Sequence, residues 1–386
     1  MRRLSYADRL LPPVLILAGL LVALACGAWI YHDARFYSSA LGGRYVSDEI
    51  YYVDVARRLL INVFHVRGVH WYNWSGKTNP DYYNPEHPPL GKYIIGLSML
   101  LCGDRPACWR MPGVLEASLV PIVLYLGYAL RRRSAWSVIA GLAAALAAAS
   151  AVSLRYEAAV AMLDIHQAFF ESLAIAALAL ESPLAASILV GLAASVKYSG
   201  LFMVPALWVY PLAKGSPRRE RVKVFIESIL APVLVILAVN APIIAHFGFK
   251  WFWENSVVGA LSWHTESRPP GPPVSSPGGW LVNANPFYFD YNTMIGGVAN
   301  TLLQVSALLI GGVALVYAFA YNSWPASGAA SLYSILAMYL LLSHLYIFHI
   351  PHLKGNQTLY SFYLVQLTPA SAAVMGDLVA LMGGDS

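Results

Sequence analysis

Apolar runs of about twenty residues recur along this chain. Those of about 20 residues are long enough to cross the hydrocarbon core of a bilayer as a helix, which leaves few other ways to fold the chain. The runs at 12–31, 111–130, 136–152, 164–180, 183–196, 231–244, 298–319, 326–346 and 360–382 carry almost no charge in their interiors. Hydrophobic residues make up 58% of the 386 and charged residues 12%, about half the charged share of soluble domains. The expectation is an all-α polytopic membrane protein of about ten spans. It should form a single unit over 1–386 with two long polar loops, at 32–111 and 247–299. The net charge of +5 then sets orientation in the membrane, so membrane lipid and not nucleic acid is the expected partner.

Basic clusters fix the expected orientation. Met1-Arg2-Arg3 precedes the first apolar run, which reads as a first span with its basic end in the cytoplasm. Arg131-Arg132-Arg133 and the segment from Lys214 to Lys223 also belong on the cytoplasmic face. The stretch at 93–102 is too short to span and is read as re-entrant or interfacial. With that assignment, every other concentration of ionisable side chains falls on the external face. The segment 45–66 has apolar residues at helical spacing and reads as an interfacial helix. Residues 71–89, rich in Tyr, Asn, Pro and Gly, read as loop. In the second loop, Pro269, Pro270, Pro272 and Pro273 make the chain semi-rigid.

The first loop concentrates chemistry. It opens on Asp48-Glu49 and closes on His87-Pro88-Pro89-Leu90-Gly91-Lys92. Paired carboxylates, an imidazole, an ammonium and a rigid turn are the parts of an acid/base and anion-binding site. A glycine-rich phosphate loop is missing: Gly42-Gly43 and Gly278-Gly279 have no strand–helix context. Any sugar donor should therefore be carried on a lipid.

Taken in order, these residues resemble the dolichyl-phosphate-mannose–protein mannosyltransferases. The resemblance runs through Asp48-Glu49, His87 to Lys92, Arg155-Tyr156, Leu163-Asp164, Val196-Lys197-Tyr198-Ser199-Gly200-Leu201, His264, and Ser275-Ser276-Pro277-Gly278-Gly279-Trp280, over roughly residues 40–290. It implies the C-type glycosyltransferase fold and transfer of mannose from a dolichyl or polyprenyl phosphate to Ser or Thr hydroxyls of proteins. The implied setting is the extracytoplasmic face of a plasma or ER-type membrane. The chain departs from the eukaryotic members in having no lumenal β-trefoil (MIR) insertion and in being short at its C-terminal end.

Inverting transfer needs a carboxylate to take the acceptor proton and positive charge to receive the leaving phosphate. The resemblance maps the base onto Asp48, with Glu49 supporting. Arg155, Lys92, Lys197 and His87 are the expected phosphate ligands, and Asp164, His264 and Trp280 the supporting residues. Asp164 either orients Arg155 or caps its helix. A divalent metal between Asp48, Glu49 and His87 is compatible with these side chains, although no ligand spacing demands one. A related enzyme with a lipid or glycan acceptor is the alternative. A transporter is disfavoured, because its ionisable groups belong at the midplane within broken helices.

Three cysteines complete the reading. Gly103 and Pro106 allow the chain between Cys102 and Cys108 to turn back, and both thiols fall on the oxidising external face. A Cys102–Cys108 disulfide is expected, with Cys26 free inside the bilayer.

Overall fold

The computed structural model describes residues 6–69, 81–269, 276–320 and 328–382. Much of the loop at 71–89, together with Pro270, Pro272, Pro273 and Ser275, lies outside the described residues. The chain is helical nearly throughout. It runs α1 (Tyr6–Ala40), α2 (Glu49–Arg58), α3 (Leu90–Cys102), α4 (Pro106–Trp109), α5 (Met111–Arg132), α6 (Ala135–Ser150), α7 (Val152–Ala158), α8 (Leu163–Ala179) and α9 (Pro183–Val196). After a 3₁₀ turn at Tyr198–Met203 come α10 (Val204–Ala213), α11 (Arg218–Phe247), α12 (Phe249–Trp251), α13 (Gly259–Thr265) and α14 (Pro277–Trp280). A small antiparallel ladder pairs β1 (Tyr288–Asp290) with β2 (Ile295–Gly296). The chain continues as α15 (Thr301–Ala320), α16 (Gly328–Leu342), α17 (Ile350–Leu353) and α18 (Thr368–Met382), with a 3₁₀ segment at Ser361–Leu367 before the last helix.

Among the described residues, five helices are long and apolar enough to cross a membrane, or six if the bent pair Ala135–Ser150 and Val152–Ala158 counts as one span. Four more apolar helices are shorter, among them α3 and α9. The multi-pass reading therefore holds on fewer full-length spans than the ten expected. The physical reason is length: α6 and α9, expected to be spans, are helices of 16 and 14 residues, shorter than a full bilayer crossing, and α6 is followed by a bend of 57° into α7.

Local signals set the boundaries. Arg133 adopts a left-handed conformation at the end of α5, and Ser134 then caps α6 by accepting a hydrogen bond from the Ser137 amide at 3.0 Å. Pro183 opens α9, where a missing amide hydrogen does no harm. Small residues let the helices approach closely. A Cβ on Gly27 of α1 would sit 2.5 Å from the Ser118 carbonyl of α5. Alanines at 140, 144 and 148 form the buried seam of α6, the helix that packs against α5 and α18.

The segment expected to lie along the membrane surface forms α2 and is largely enclosed by protein. Eight of the ten residues of α2 are buried, Asp54, Arg57 and Arg58 among them. Arg57 donates to Asp54 at 2.8 Å and to Asp104 at 2.5 and 2.8 Å, and its guanidinium lies 5.0 Å from the Trp109 ring. Arg57 thus ties α2 to the α3–α4 connection. Cys102 and Cys108 are joined in a disulfide across that connection, with Cα atoms 5.8 Å apart, and Cys26 is free and buried in α1.

Candidate active site

The site is built where three segments end. Asp48 stands at the entry to α2, its carbonyl accepting the amides of Tyr51 at 2.9 Å and Tyr52 at 3.0 Å. Its side chain makes no capping bond and is left for other work. Ser47 beside it has φ +51°, a left-handed conformation that a non-glycine residue holds only when its surroundings enforce it.

Glu49 supplies that enforcement. Its carboxylate accepts both arms of Arg110, at 2.7 and 2.8 Å, and the amides of Val46 at 2.9 Å and Ala161 at 2.8 Å. Arg110 in turn donates to the carbonyls of Ser38, Gly42 and Arg44. A fully buried, bidentate, four-fold hydrogen-bonded carboxylate has no room for substrate. Glu49 is therefore a scaffold for Asp48, and it is not available as a metal ligand beside Asp48 and His87. Among the described residues, no group of three or more His, Cys, Asp or Glu side chains could hold a metal ion.

A cavity of about 320 Å³ is lined in part by Lys197, whose charge reaches Asp48; Asp48 itself is not among the residues that line it. Lys197 and Tyr198, from the end of α9, form one wall, and His264 of α13 another. His87 and Glu86 close it from the first loop, and Tyr363 and Gln366 from the segment before α18. The remaining wall is apolar, with Leu201, Phe202, Val257 and Leu261. Tyr52 links Asp48 to the cavity: its hydroxyl donates to the Asp48 carboxylate at 3.4 Å and its ring meets the His87 ring edge-on at 6.0 Å.

Lys197 is held rather than loose. Its ammonium donates to Asp164 at 2.8 Å and lies 4.5 Å from the Tyr363 ring, while Gln366 donates to the same Asp164 oxygen at 2.6 Å. Ser199 donates to Gln167 at 2.8 Å, extending the polar floor. The backbone allows this tight turn after α9 because Gly200 sits against it: a Cβ there would fall 2.5 Å from the Ala194 nitrogen.

These surroundings shape the protonation of the groups outside the spans. Burial raises the Asp48 carboxyl to about 6, with Asp164 pushing the same way and Lys197 and Tyr52 opposing. Burial, followed by the charges of Lys197, Lys92 and His264, holds His87 well below the usual imidazole range. Burial, followed by Lys197 and Arg268, lowers His264 to about 4. At neutral pH the arrangement offers the Asp48 carboxylate, the Lys197 side chain held by Asp164 and two neutral imidazoles, with Glu86 a second acidic side chain on the cavity wall.

The other expected site residues lie elsewhere. Lys92 is buried and folds back onto its own loop, donating to the carbonyls of Asn84 at 2.5 Å and His87 at 2.7 Å. It fixes His87 and does not line the cavity at Lys197. Arg155 is turned away from that cavity. It pairs with Asp33 at 3.1 Å and covers the Trp29 ring at 4.4 Å, both on α1. Asp164 consequently orients Lys197 and not Arg155. Trp280 is fully buried behind Tyr363, with ring centroids 6.2 Å apart.

Tyr52, Tyr363 and Gln366 were not singled out from the sequence, whereas Ser199 lies within the motif that begins at Val196. A detectable signal existed for Gln366 and Gln167: uncharged amides inside apolar runs are costly unless they find partners. Glu157 of α7 is also fully buried, and neither of its carboxyl oxygens has a hydrogen-bond partner among the described residues.

Residues 86–246 match the family model described as dolichyl-phosphate-mannose-protein mannosyltransferase. Among solved structures, the chain is similar to ArnT from Cupriavidus metallidurans bound to undecaprenyl phosphate, with a TM-score of 0.56 and 16% identity over 96% of this chain and 60% of that one. It is also similar to the Archaeoglobus fulgidus oligosaccharyltransferase in its apo form, with a TM-score of 0.56 and 14% identity over 93% of this chain and 50% of that one. The chain thus spans only about 60% and 50% of the lengths of these two structures. No curated protein matches it in sequence. A helical scaffold shared over nearly the whole chain, with the family match covering the segment from Glu86 through Lys197, makes this a C-type glycosyltransferase fold similar to the dolichyl-phosphate-mannose-protein mannosyltransferases.

Proposed function

We propose that the cavity binds a polyprenyl-phosphate sugar and that the chain transfers the sugar, mannose, to a Ser or Thr hydroxyl of a protein on the extracytoplasmic face. The observation that carries this reading is the mixed lining of the cavity. Lys197, His87 and His264 share it with Glu86 and with the apolar Leu201, Phe202, Val257 and Leu261. A cation and N–H donors beside apolar walls suit a phosphate on an isoprenoid chain.

In the reaction, Asp48 accepts the acceptor's hydroxyl proton as the oxygen attacks the anomeric carbon. The bond from that carbon to the phosphate oxygen breaks with inversion, and the leaving phosphate gains a negative charge. Lys197 and the N–H groups of His87 and His264 receive that charge. Because Asp164 and Tyr363 hold the ammonium in advance, little reorganisation is needed as the charge develops.

The alternative acceptor is a lipid or glycan. Incubating purified protein with labelled polyprenyl-phosphate mannose, together with either a Ser/Thr peptide or a lipid acceptor, separates the two. Label in the peptide supports the protein acceptor, and label in the lipid alone rejects it. Release of no sugar to either acceptor, with donor bound, rejects the transferase reading itself.

A further inference from the structure

Helix α10 and the first turns of α11 enclose a second cavity, of about 420 Å³, which shares no residue with the one at Lys197. Arg218, Arg221, Val222 and Phe225 line it from α11. Their spacing puts them on one face of that helix. Trp208 and Leu212, one turn apart on α10, face them.

The groove is chemically graded. At one end the Arg218 and Arg221 guanidinium groups form no ion pair among the described residues, whereas Lys223 is engaged by Glu227 at 3.6 Å and Lys214 by Glu181 at 2.9 Å. Glu220 is exposed nearby and does not line the groove. No side chain caps the N-terminus of α11, so the positive end of a 30-residue helix adds to the two arginines. At the other end lie the four apolar side chains. The Trp208 indole donates to Ser228 at 2.7 Å and its ring lies 5.3 Å from Phe225, so this wall is fixed in place.

The setting favours a ligand that comes from the bilayer. Helix α11 is one of the helices long enough to span, and only 22% of its apolar window is buried against protein. Leu212, Val222 and Phe225 are all exposed, so the apolar end of the groove opens sideways, away from the bundle. A soluble anion would use the arginines and leave this wall in contact with nothing that matches it.

We propose that this groove binds one anionic glycerophospholipid, with its phosphate between Arg218 and Arg221 and an acyl chain against Trp208, Leu212 and Phe225. The segment 198–213 then joins two sites. Tyr198 and Leu201 at its start line the first cavity, and Trp208 and Leu212 near its end line the second. A ten-residue helix such as α10 is about 15 Å long, so the lipid would brace the far end of the segment that follows Lys197.

The test uses the full chain in detergent, titrated with phosphatidylglycerol or phosphatidylcholine and observed by native mass spectrometry. The wild-type protein should retain one phosphatidylglycerol in preference to phosphatidylcholine. The R218Q/R221Q variant should bind it roughly tenfold more weakly or worse, since each basic residue near an anionic lipid surface contributes substantially. A single R221Q variant should show a loss of a few-fold, and R219Q/K223Q, outside the groove, should bind as wild type. Equal phosphatidylglycerol affinity in both groove variants would overturn the proposal. So would equal wild-type affinity for the two lipids, or full displacement of the lipid by millimolar inorganic phosphate, which would mark a soluble-anion site.

Discussion

Lys197, on the cavity wall, forms a buried ion pair with Asp164, Nζ to Oδ1 at 2.8 Å. The pair is asymmetric in use. One carboxylate oxygen takes both Lys197 and Gln366, and the other has no hydrogen-bond partner. Both charges reach Asp48 and act in opposite directions on its carboxyl. The proposed base and the proposed phosphate ligand are thus coupled through Asp164.

That coupling predicts a pH profile. Asp48 must be ionised to accept a proton, and its carboxyl is raised to about 6, so transfer should be flat above about pH 7 and fall as pH drops through 6. The groups facing Asp48 are Tyr52, Asp164, Lys197, Tyr360 and Tyr363. Because Lys197 lowers the Asp48 value, Lys197→Met should move the acid limb of kcat/KM upward. A limb that stays near the ordinary carboxylate value in the wild type would contradict the assignment.

The two cations expected to act alike should separate. Lys197→Ala should weaken donor binding and slow transfer together, because its charge meets the phosphate in the cavity. Arg155→Ala should leave the kinetics within about two- to three-fold and act on stability, since it removes only the contacts with Asp33 and Trp29. Steady-state kinetics with varied donor concentration checks both.

Glu49 and Arg110 should report on scaffolding. Removing one partner of a buried ion pair typically costs about 3–5 kcal/mol, so Glu49→Ala should lower the melting temperature sharply. Asp48→Asn should not, because the Asp48 side chain caps nothing. Thermal unfolding of the two variants side by side distinguishes support from chemistry.

The first loop and its connection test topology. Mass spectrometry without reduction should find one bridge, Cys102–Cys108, with Cys26 free. A membrane-impermeant thiol reagent should label a cysteine introduced at Ser267 and not one at Arg132. Labelling at Arg132 from outside would invert the proposed orientation.

Much of the fold was legible because membrane helices announce themselves by apolar run length, and the boundaries of α5 and α9 fall close to where the runs begin and end. The bend at Ala151 was hidden, since hydropathy does not register a change of direction. Asp48, His87, Lys197 and His264 could be drawn toward one site from sequence because their order matched a known series. Which cation would face the cavity could not be read. Arg155 and Lys92 carry the same charge as Lys197, and only tertiary packing decides that one meets Asp33, another meets loop carbonyls, and the third faces the cavity. Glu49 shows the same limit: adjacent carboxylates point apart at a helix start, and only the position of Arg110, 61 residues on, assigns the second one to structure.

The most direct test of the account is single-turnover transfer from labelled polyprenyl-phosphate mannose to a Ser/Thr peptide, comparing the wild type with Asp48→Asn while measuring donor binding to each. The amide keeps the shape and loses the proton acceptor, and general-base catalysis contributes roughly 10²–10⁴-fold. The account predicts transfer reduced by at least about a hundredfold with donor affinity nearly unchanged. Transfer by the variant at more than about a tenth of the wild-type rate would contradict Asp48 as the base.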